Sequence, residues 1–372
     1  MKYNKILVTG GAGFIGSFLV DELVSEGYKV TIFDNLEGQV HGGKIPSYLN
    51  KKARFVKGDV RNYKDFQKEL KNTDVVFHLA ASVGVAQSNY EIKKYVDANI
   101  GGMANLVNFL VNEKHHIKKI IMPASMTGLG EGYYKCINCG RVRPQVRTLK
   151  QLKKKDWEMH CPKCKRIVTP IATDEKAQEF PSSIYAITKK AQQDLLLLTG
   201  QLYNIPVVAL RFFNVYGPRQ SLSNPYTGVT AIFISRIKNG QEALVYEDGN
   251  QTRDFLSVHD VVRAFKLAMK VSRANYQLIN IGSGKPTSIK DIAMIIAKKL
   301  GRQDLVKISY QARKNDVKHC FADTKKAKKI LGFKPRISLS NGFNELLEWS
   351  KGEKASDRFS SAEKELKAKG LA

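Results

Sequence analysis

Tyr185 and Lys189 stand four residues apart in YAITK, inside a stretch from Ser182 to Tyr203 that reads as a helix. An i, i+4 pair shares one helix face, where an ammonium can stabilise a phenolate and make the tyrosine a base near neutral pH. Ser125 ends the apolar run KKIIMPAS upstream and adds a hydroxyl at an expected strand end. A second group is TGGAGFIG, which follows the run KILVT directly and spaces Gly10, Gly13 and Gly16 three apart. Glycines there permit a tight turn and close approach of backbone to a pyrophosphate, which then sits on a helix N-terminus. The next strand ends in Asp34, where a carboxylate can accept from an adenosine ribose and repel a 2′-phosphate, favouring NAD over NADP. Asp59 in KGDV, and Leu79, Ala80 and Ala81 after His78, fall at the carboxyl ends of the third and fourth strands, the edge where such sheets bind ligands. A third group is Cys136-x2-Cys139 and Cys161-x2-Cys164, the paired spacing of a four-thiolate metal site. Zinc is the expected occupant, in a structural role because four thiolates leave no open position, with iron the runner-up.

Holding these groups requires a sheet whose strands all end at one edge. Short β-branched runs (KILVT, KVTIFD, RFVKGDV, DVVFHLA, KKIIMPAS) alternate with helical patterns at Phe14 to Glu26 and Tyr90 to Val111. This predicts a doubly wound parallel α/β sheet. After an interruption the alternation resumes with VVALRFF, helices near Val229 to Asn239 and from Val258, the strand YQLINIG, and a helix capped by Ser288 with Asp291 three residues on. The expected division is a nucleotide-binding domain over 1–132 and 167–214 with segments near 250–270, a metal-binding insert over 133–166, a second α/β region over 215–249 and 271–350, and a polar tail over 351–372. The insert lacks helical or strand periodicity and is expected to fold around something other than an apolar core.

Together TGGAGFIG, Asp34, the Ser125 strand end, YAITK and LRFFNVYGPRQ resemble the extended short-chain dehydrogenase/reductases that act on nucleotide sugars. The resemblance implies a Rossmann domain holding NAD and a smaller C-terminal region clamping a nucleoside-diphosphate sugar. It also implies a homodimer through the helices near Tyr90 to Val111 and Ser182 to Tyr203. On this reading Tyr185 takes the proton of a sugar hydroxyl, Ser125 binds the same oxygen, and Lys189 also holds the nicotinamide ribose. The residues expected at the dinucleotide are Gly10, Gly13, Phe14, Ile15, Gly16, Asp34, Asn35, Asp59, Val60, Leu79, Ala80, Ala81 and Asn99, with Tyr185 and Lys189. Arg219, Arg253 and Arg313 are the candidates for the diphosphate, with Asn214 in the same region. Thr127 is expected to line the sugar pocket or to cap a turn. Dehydratases of the family carry Asp-Glu after the serine, and its decarboxylases a Glu, where this chain has Met126-Thr127. Redox-neutral inversion at C4 is the simplest remaining chemistry, and DNLEGQVHGG, the cysteine insert and EDGNQTRDFLSVHD look most like the dTDP-L-rhamnose 4-epimerases. A UDP-hexose 4-epimerase or a GDP-sugar enzyme is the alternative.

Composition bounds the rest. With 43% hydrophobic residues in 372, disorder as the main state is excluded, and the run Leu195 to Leu198 is far shorter than the ~20 residues of a membrane span. A cytoplasmic protein without membrane attachment is expected. The formal charge of +27 suits a polyanionic small substrate and also admits nucleic acid. That charge and the metal-binding insert, with its basic run from Arg141 to Lys155, motivate an NAD-bound nucleic-acid-binding or sensing protein as the reading from another class. The run lacks interleaved aromatics, so nucleic acid is not the expected partner. The insert leaves the chain after Ser125 and returns before Tyr185, and is expected to form a wall or lid of the sugar pocket, or a subunit contact.

Overall fold

A computed structural model describes residues 3–226, 228–313 and 316–371. Seven parallel strands form the main sheet in the order Gln277–Ile281, Val207–Phe212, Lys119–Ser125, Val75–His78, Lys5–Thr9, Lys29–Asp34, Arg54–Lys57. Side chains alternate between faces along a strand, and here both faces are covered. Ile6 and Val8, Val75 and Phe77, and Val208 and Leu210 pack with the helices Phe14–Ser25 and Val258–Lys270. Leu7, Val76, Ile120, Val207 and Ala209 pack on the other side with Gly102–Asn112 and Ile184–Leu202. This two-sided burial explains why the strand runs are continuously apolar.

The expected division needs two corrections. Gln277–Ile281 pairs with Val207–Phe212 at the edge of the main sheet, and Ala327, Leu331 and Phe333 join the core beside the first helix, so these parts of 271–350 belong to the nucleotide-binding domain. The insert does have an apolar core: Tyr134, Val142, Met159 and Val168 are buried around Cys136 and Cys161. Three short antiparallel strands, Gly140–Val142, Tyr133–Cys136 and Thr169–Ile171, carry it past residue 166. Its strands are too short to show a period in the sequence. The second region has its own core of Phe233, Ile234, Ile292, Ile296, Phe343 and Leu346. Beyond it, the polar tail forms a docked helix, Phe359–Ala368, with Tyr226 Oη donating to Glu365 at 3.0 Å and Arg236 paired with Asp357 at 3.2 Å. No helix among the described residues is long and apolar enough to cross a membrane.

Candidate active site and cysteine centre

The glycine turn is closely packed. Gly10 lies at φ +68°, where a β-carbon would meet Ala80 N at 2.8 Å, and a β-carbon on Gly16 would fall 2.2 Å from the Gly10 carbonyl. Gly13 precedes the helix Phe14–Ser25 without any side-chain cap, so the first-turn amides of Phe14, Ile15 and Gly16 face the turn. Asp34 is buried and accepts from Ala12 N at 3.0 Å and Leu36 N at 2.9 Å, which ties the strand end to the glycine turn. Asn35 donates to Asp59 at 2.9 Å. Burial works to raise the Asp59 carboxyl, but the hydrogen bonds from Arg61 and Asn35 carry it below its ordinary value. Val60 touches the site of a β-carbon on Gly102, and Asn105 Nδ2 donates to its carbonyl at 2.8 Å. Leu79 and Ala80 are fixed by bonds of their amides to the Thr9 carbonyl and hydroxyl, both 3.1 Å. This cradle of glycines, free helix amides and a carboxylate fits a dinucleotide.

The expected catalytic residues come together at the same edge. Ser125 lies beside Tyr185 and is 2.8 Å from Thr127 Oγ1, while its oxygen also accepts from Thr127 N and caps a short turn. Burial pushes the Tyr185 phenol up to about 12, and the Ser125 hydroxyl beside it opposes that rise. Lys189 lies 4% exposed, and burial lowers its ammonium to about 7. Its Nζ donates to Gln192 Oε1 at 2.7 Å. The expectation that Lys189 lowers the Tyr185 pKa therefore does not hold in this resting arrangement: burial dominates both groups.

Four residues that the sequence reading missed position this pair. Ser88 Oγ accepts from Tyr185 N at 2.9 Å and Asn89 from Ile184 N at 3.1 Å, so a distant loop caps the helix Ile184–Leu202 together with Ser183. Tyr95 meets Tyr185 edge to face at 6.4 Å between centroids, held by bonds from its hydroxyl to Val83 O and Gln87 Oε1. Thr188 lies between Tyr185 O and Asn99. No local pattern marks these residues, because their roles depend on contacts about 90 positions apart. Asn99 is fully buried, and its amide bonds Ser82 on both sides and Thr188. These bonds hold the Ala81-Ser82 segment against the helix Ile184–Leu202.

The predicted arginines separate. Arg253 and Arg313 both bind Asp316, at 3.1 Å and 2.7 Å. Arg219 is elsewhere: it pairs with Asp21 at 2.7 Å on the first helix and lies over Phe18 and Tyr48, so it does not join the other two. Its backbone is in the left-handed region at φ +64°. Asn214 keeps a buried Oδ1 without a hydrogen-bond partner, open to a donor. Within the surrounding motifs Thr227, Lys314 and Asn315 lie outside the described residues.

The four insert cysteines are unpaired thiols whose sulfurs all lie within 4.8 Å of one another, Cys136 and Cys164 being 3.5 Å apart. Tetrahedral Zn–S bonds of about 2.3 Å place sulfurs about 3.8 Å apart, so the set fits one such ion. The backbone amides of Cys164 and Lys163 draw the Cys161 thiol down to about 6. His160 turns away, bonded to Asp156 and the Lys165 carbonyl. Cys320 sits alone in a separate core cluster with Met126 and Phe213.

Residues 6–135 match the NAD dependent epimerase/dehydratase family, and residues 167–346 match the GDP-mannose 4,6 dehydratase family. Residues 136–166, which hold all four paired cysteines, and the tail helix lie outside both matches. Over 93% of the chain and 94% of the relative, the sequence is 34% identical to a dTDP-L-rhamnose 4-epimerase of Burkholderia thailandensis. A putative UDP-glucose 4-epimerase of Methanocaldococcus jannaschii is 33% identical over 93% of the chain and 98% of the relative. Among solved structures, the UDP-glucose 4-epimerase of Thermotoga maritima with UDP-glucose superimposes with a TM-score of 0.76 at 31% identity, covering 93% of this chain and 98% of that one.

Proposed function

The chain belongs to the NAD-dependent epimerase/dehydratase family of nucleotide-sugar enzymes, and from that premise we propose that it inverts C4 of a nucleoside-diphosphate deoxyhexose of the dTDP-L-rhamnose kind. The observation that carries the reading is Ser125 set beside Tyr185 at the sheet edge next to the glycine cradle, with Met126-Thr127 where a dehydratase acid and base would stand. NAD, when bound, supplies reversible hydride acceptance, so that C4 passes through a ketone and NAD is regenerated. Tyr185 takes the proton of the 4-hydroxyl and returns it after the keto sugar has turned, while Ser125 orients that oxygen. With the phenol near 12 in the resting arrangement, the base form needs added positive charge nearby, and Lys189, released from Gln192, is the group four residues away that can provide it. Arg253 and Arg313 hold the diphosphate, with Asn214 close to the same group. Asp34 accepts from the adenosine ribose.

We read the four cysteines as the ligands of one structural zinc, on the strength of their sulfur spacing and amide bonds. A homodimer is supported by Ile92, Val96, Ile187, Leu198, Leu202 and Tyr203, large apolar side chains exposed on the two expected helices or at their ends. The relatives named above share inversion at C4 and differ in nucleotide and sugar, which keeps a UDP-hexose as the second reading.

The test is incubation of purified protein with dTDP-L-rhamnose, UDP-glucose and UDP-galactose under NMR, after native mass spectrometry has counted bound NAD and zinc. One donor is expected to show inversion at C4, and Tyr185→Phe to slow it roughly 100- to 10,000-fold. Bound NAD without turnover of any donor would overturn the assignment.

A further inference from the structure

A buried arginine fastens the insert to the second region. Arg147 lies between the two cysteine pairs, and its side chain is 1% exposed. It forks onto Glu247, whose side chain is fully buried, with Nη1 to Oε2 at 2.5 Å and Nη2 to Oε1 at 2.9 Å. Two parallel charge-assisted bonds of this kind fix orientation as well as distance. The same guanidinium reaches back to the Trp157 carbonyl at 3.2 Å inside the insert and forward to the Asp316 carbonyl at 3.3 Å. Asp316 is the residue whose carboxylate spaces Arg253 from Arg313.

A buried ion pair is weak evidence for a stabilising role, because desolvation offsets most of the attraction and an apolar pair of similar volume often does as well. Orientation is the better account here. Glu247 sits in the left-handed region at φ 53°, its backbone bonded to Gln311 and Tyr310 on the segment that leads to Arg313. Its charge also acts on Arg313 and lies 3.8 Å from the Lys318 ammonium. Without Arg147, Glu247 is left to draw on the cations that an anionic ligand needs, and the Asp316 backbone loses a donor.

We infer that Arg147 is the positioning residue through which the cysteine insert sets Arg253 and Arg313 for the diphosphate of the substrate. The inference rests on the proposed nucleotide-sugar reading and deepens it: the insert is a fixed wall of the phosphate end of the cleft, not a moving lid.

Calorimetric titration with thymidine 5′-diphosphate and uridine 5′-diphosphate tests it on the full-length protein. Arg147→Met, which keeps length and removes charge, is expected to raise Kd at least tenfold for the diphosphate that the unmodified protein binds. In turnover, KM should rise by a similar factor with kcat within twofold. Arg147→Lys, which keeps the charge but not the fork, should recover part of the loss, and it carries the test alone if the methionine variant does not fold. Metal content and NAD content by native mass spectrometry should stay unchanged, separating lost positioning from an unfolded insert. Variants that bind the diphosphate within twofold of the unmodified protein would overturn the inference alone. An unmodified protein that binds neither diphosphate removes the functional reading, and the inference falls with it.

Discussion

Burial without a compensating charge drives Tyr185 and Lys189 toward their neutral forms, up to about 12 for the phenol and down to about 7 for the ammonium. The folded protein thus releases the Lys189 proton near pH 7 and the unfolded chain near 10.5, so between those values the unfolded chain holds more protons and stability rises with pH. The slope from one such group approaches about 1.4 kcal/mol per pH unit. Urea unfolding of cofactor-free protein at pH 7, 8 and 9 should show this gain, and Lys189→Met should lose most of it; parallel slopes for the two proteins would refute the burial account. The residue types of the pair were legible from their spacing. Their resting protonation was not, because it depends on Gln192 and on the walls that exclude water.

At the scale of elements, helices whose caps are local were readable. Ser288 does cap the helix Ile289–Lys299 through Asp291 N at 3.0 Å, as its spacing announced. The helix Ile184–Leu202 takes two of its caps from Ser88 and Asn89, which no local pattern contains. The docking of the tail, expected as a frayed helix or a tail, was hidden for a related reason. Phe359, Ala362, Glu363 and Leu366 recur on one helix face, but the composition around them is polar. What docks that face is the Leu222–Tyr226 loop and Arg236, which lies 4.6 Å over the Phe359 ring. Deleting residues 354–372 should lower Tm by several degrees in a thermal scan and make the Leu222–Tyr226 loop more sensitive to protease, with bound NAD unchanged by native mass spectrometry. An unaltered Tm and digestion pattern would show that the helix contributes nothing to the fold.

Taken over the whole molecule, the +27 charge is a surface property with one instructive exception. Three arginines of the basic insert run are consumed internally: Arg141 pairs with Asp174, Arg143 donates to the Leu129, Glu131 and Gln178 carbonyls, and Arg147 is buried on Glu247. Carboxylates neutralise only Arg141 and Arg147 of that run, and its Lys150, Lys153, Lys154 and Lys155 stay exposed, a solvated charge that suits anionic ligands by long-range attraction. The apolar stripe on Ile184–Leu202 predicts assembly: light scattering should give twice the chain mass, and Leu198→Glu, which places a charge at a 57% exposed position of the stripe, should give the monomer. A monomeric unmodified protein would refute the dimer. Motifs whose parts are contiguous, such as the glycine turn, YAITK and the cysteine pairs, carry their chemistry in local spacing, since a strand–turn–helix or a knuckle is built from neighbours. Local spacing also sufficed for the alternating sheet, because two-sided burial writes itself into every strand. Tertiary packing alone decided that Arg219 turns to Asp21 while Arg253 and Arg313 share Asp316, and that the insert is locked to the second region through Arg147. A guanidinium pairs with whichever carboxylate the fold brings within reach, and that partner can stand a hundred residues away.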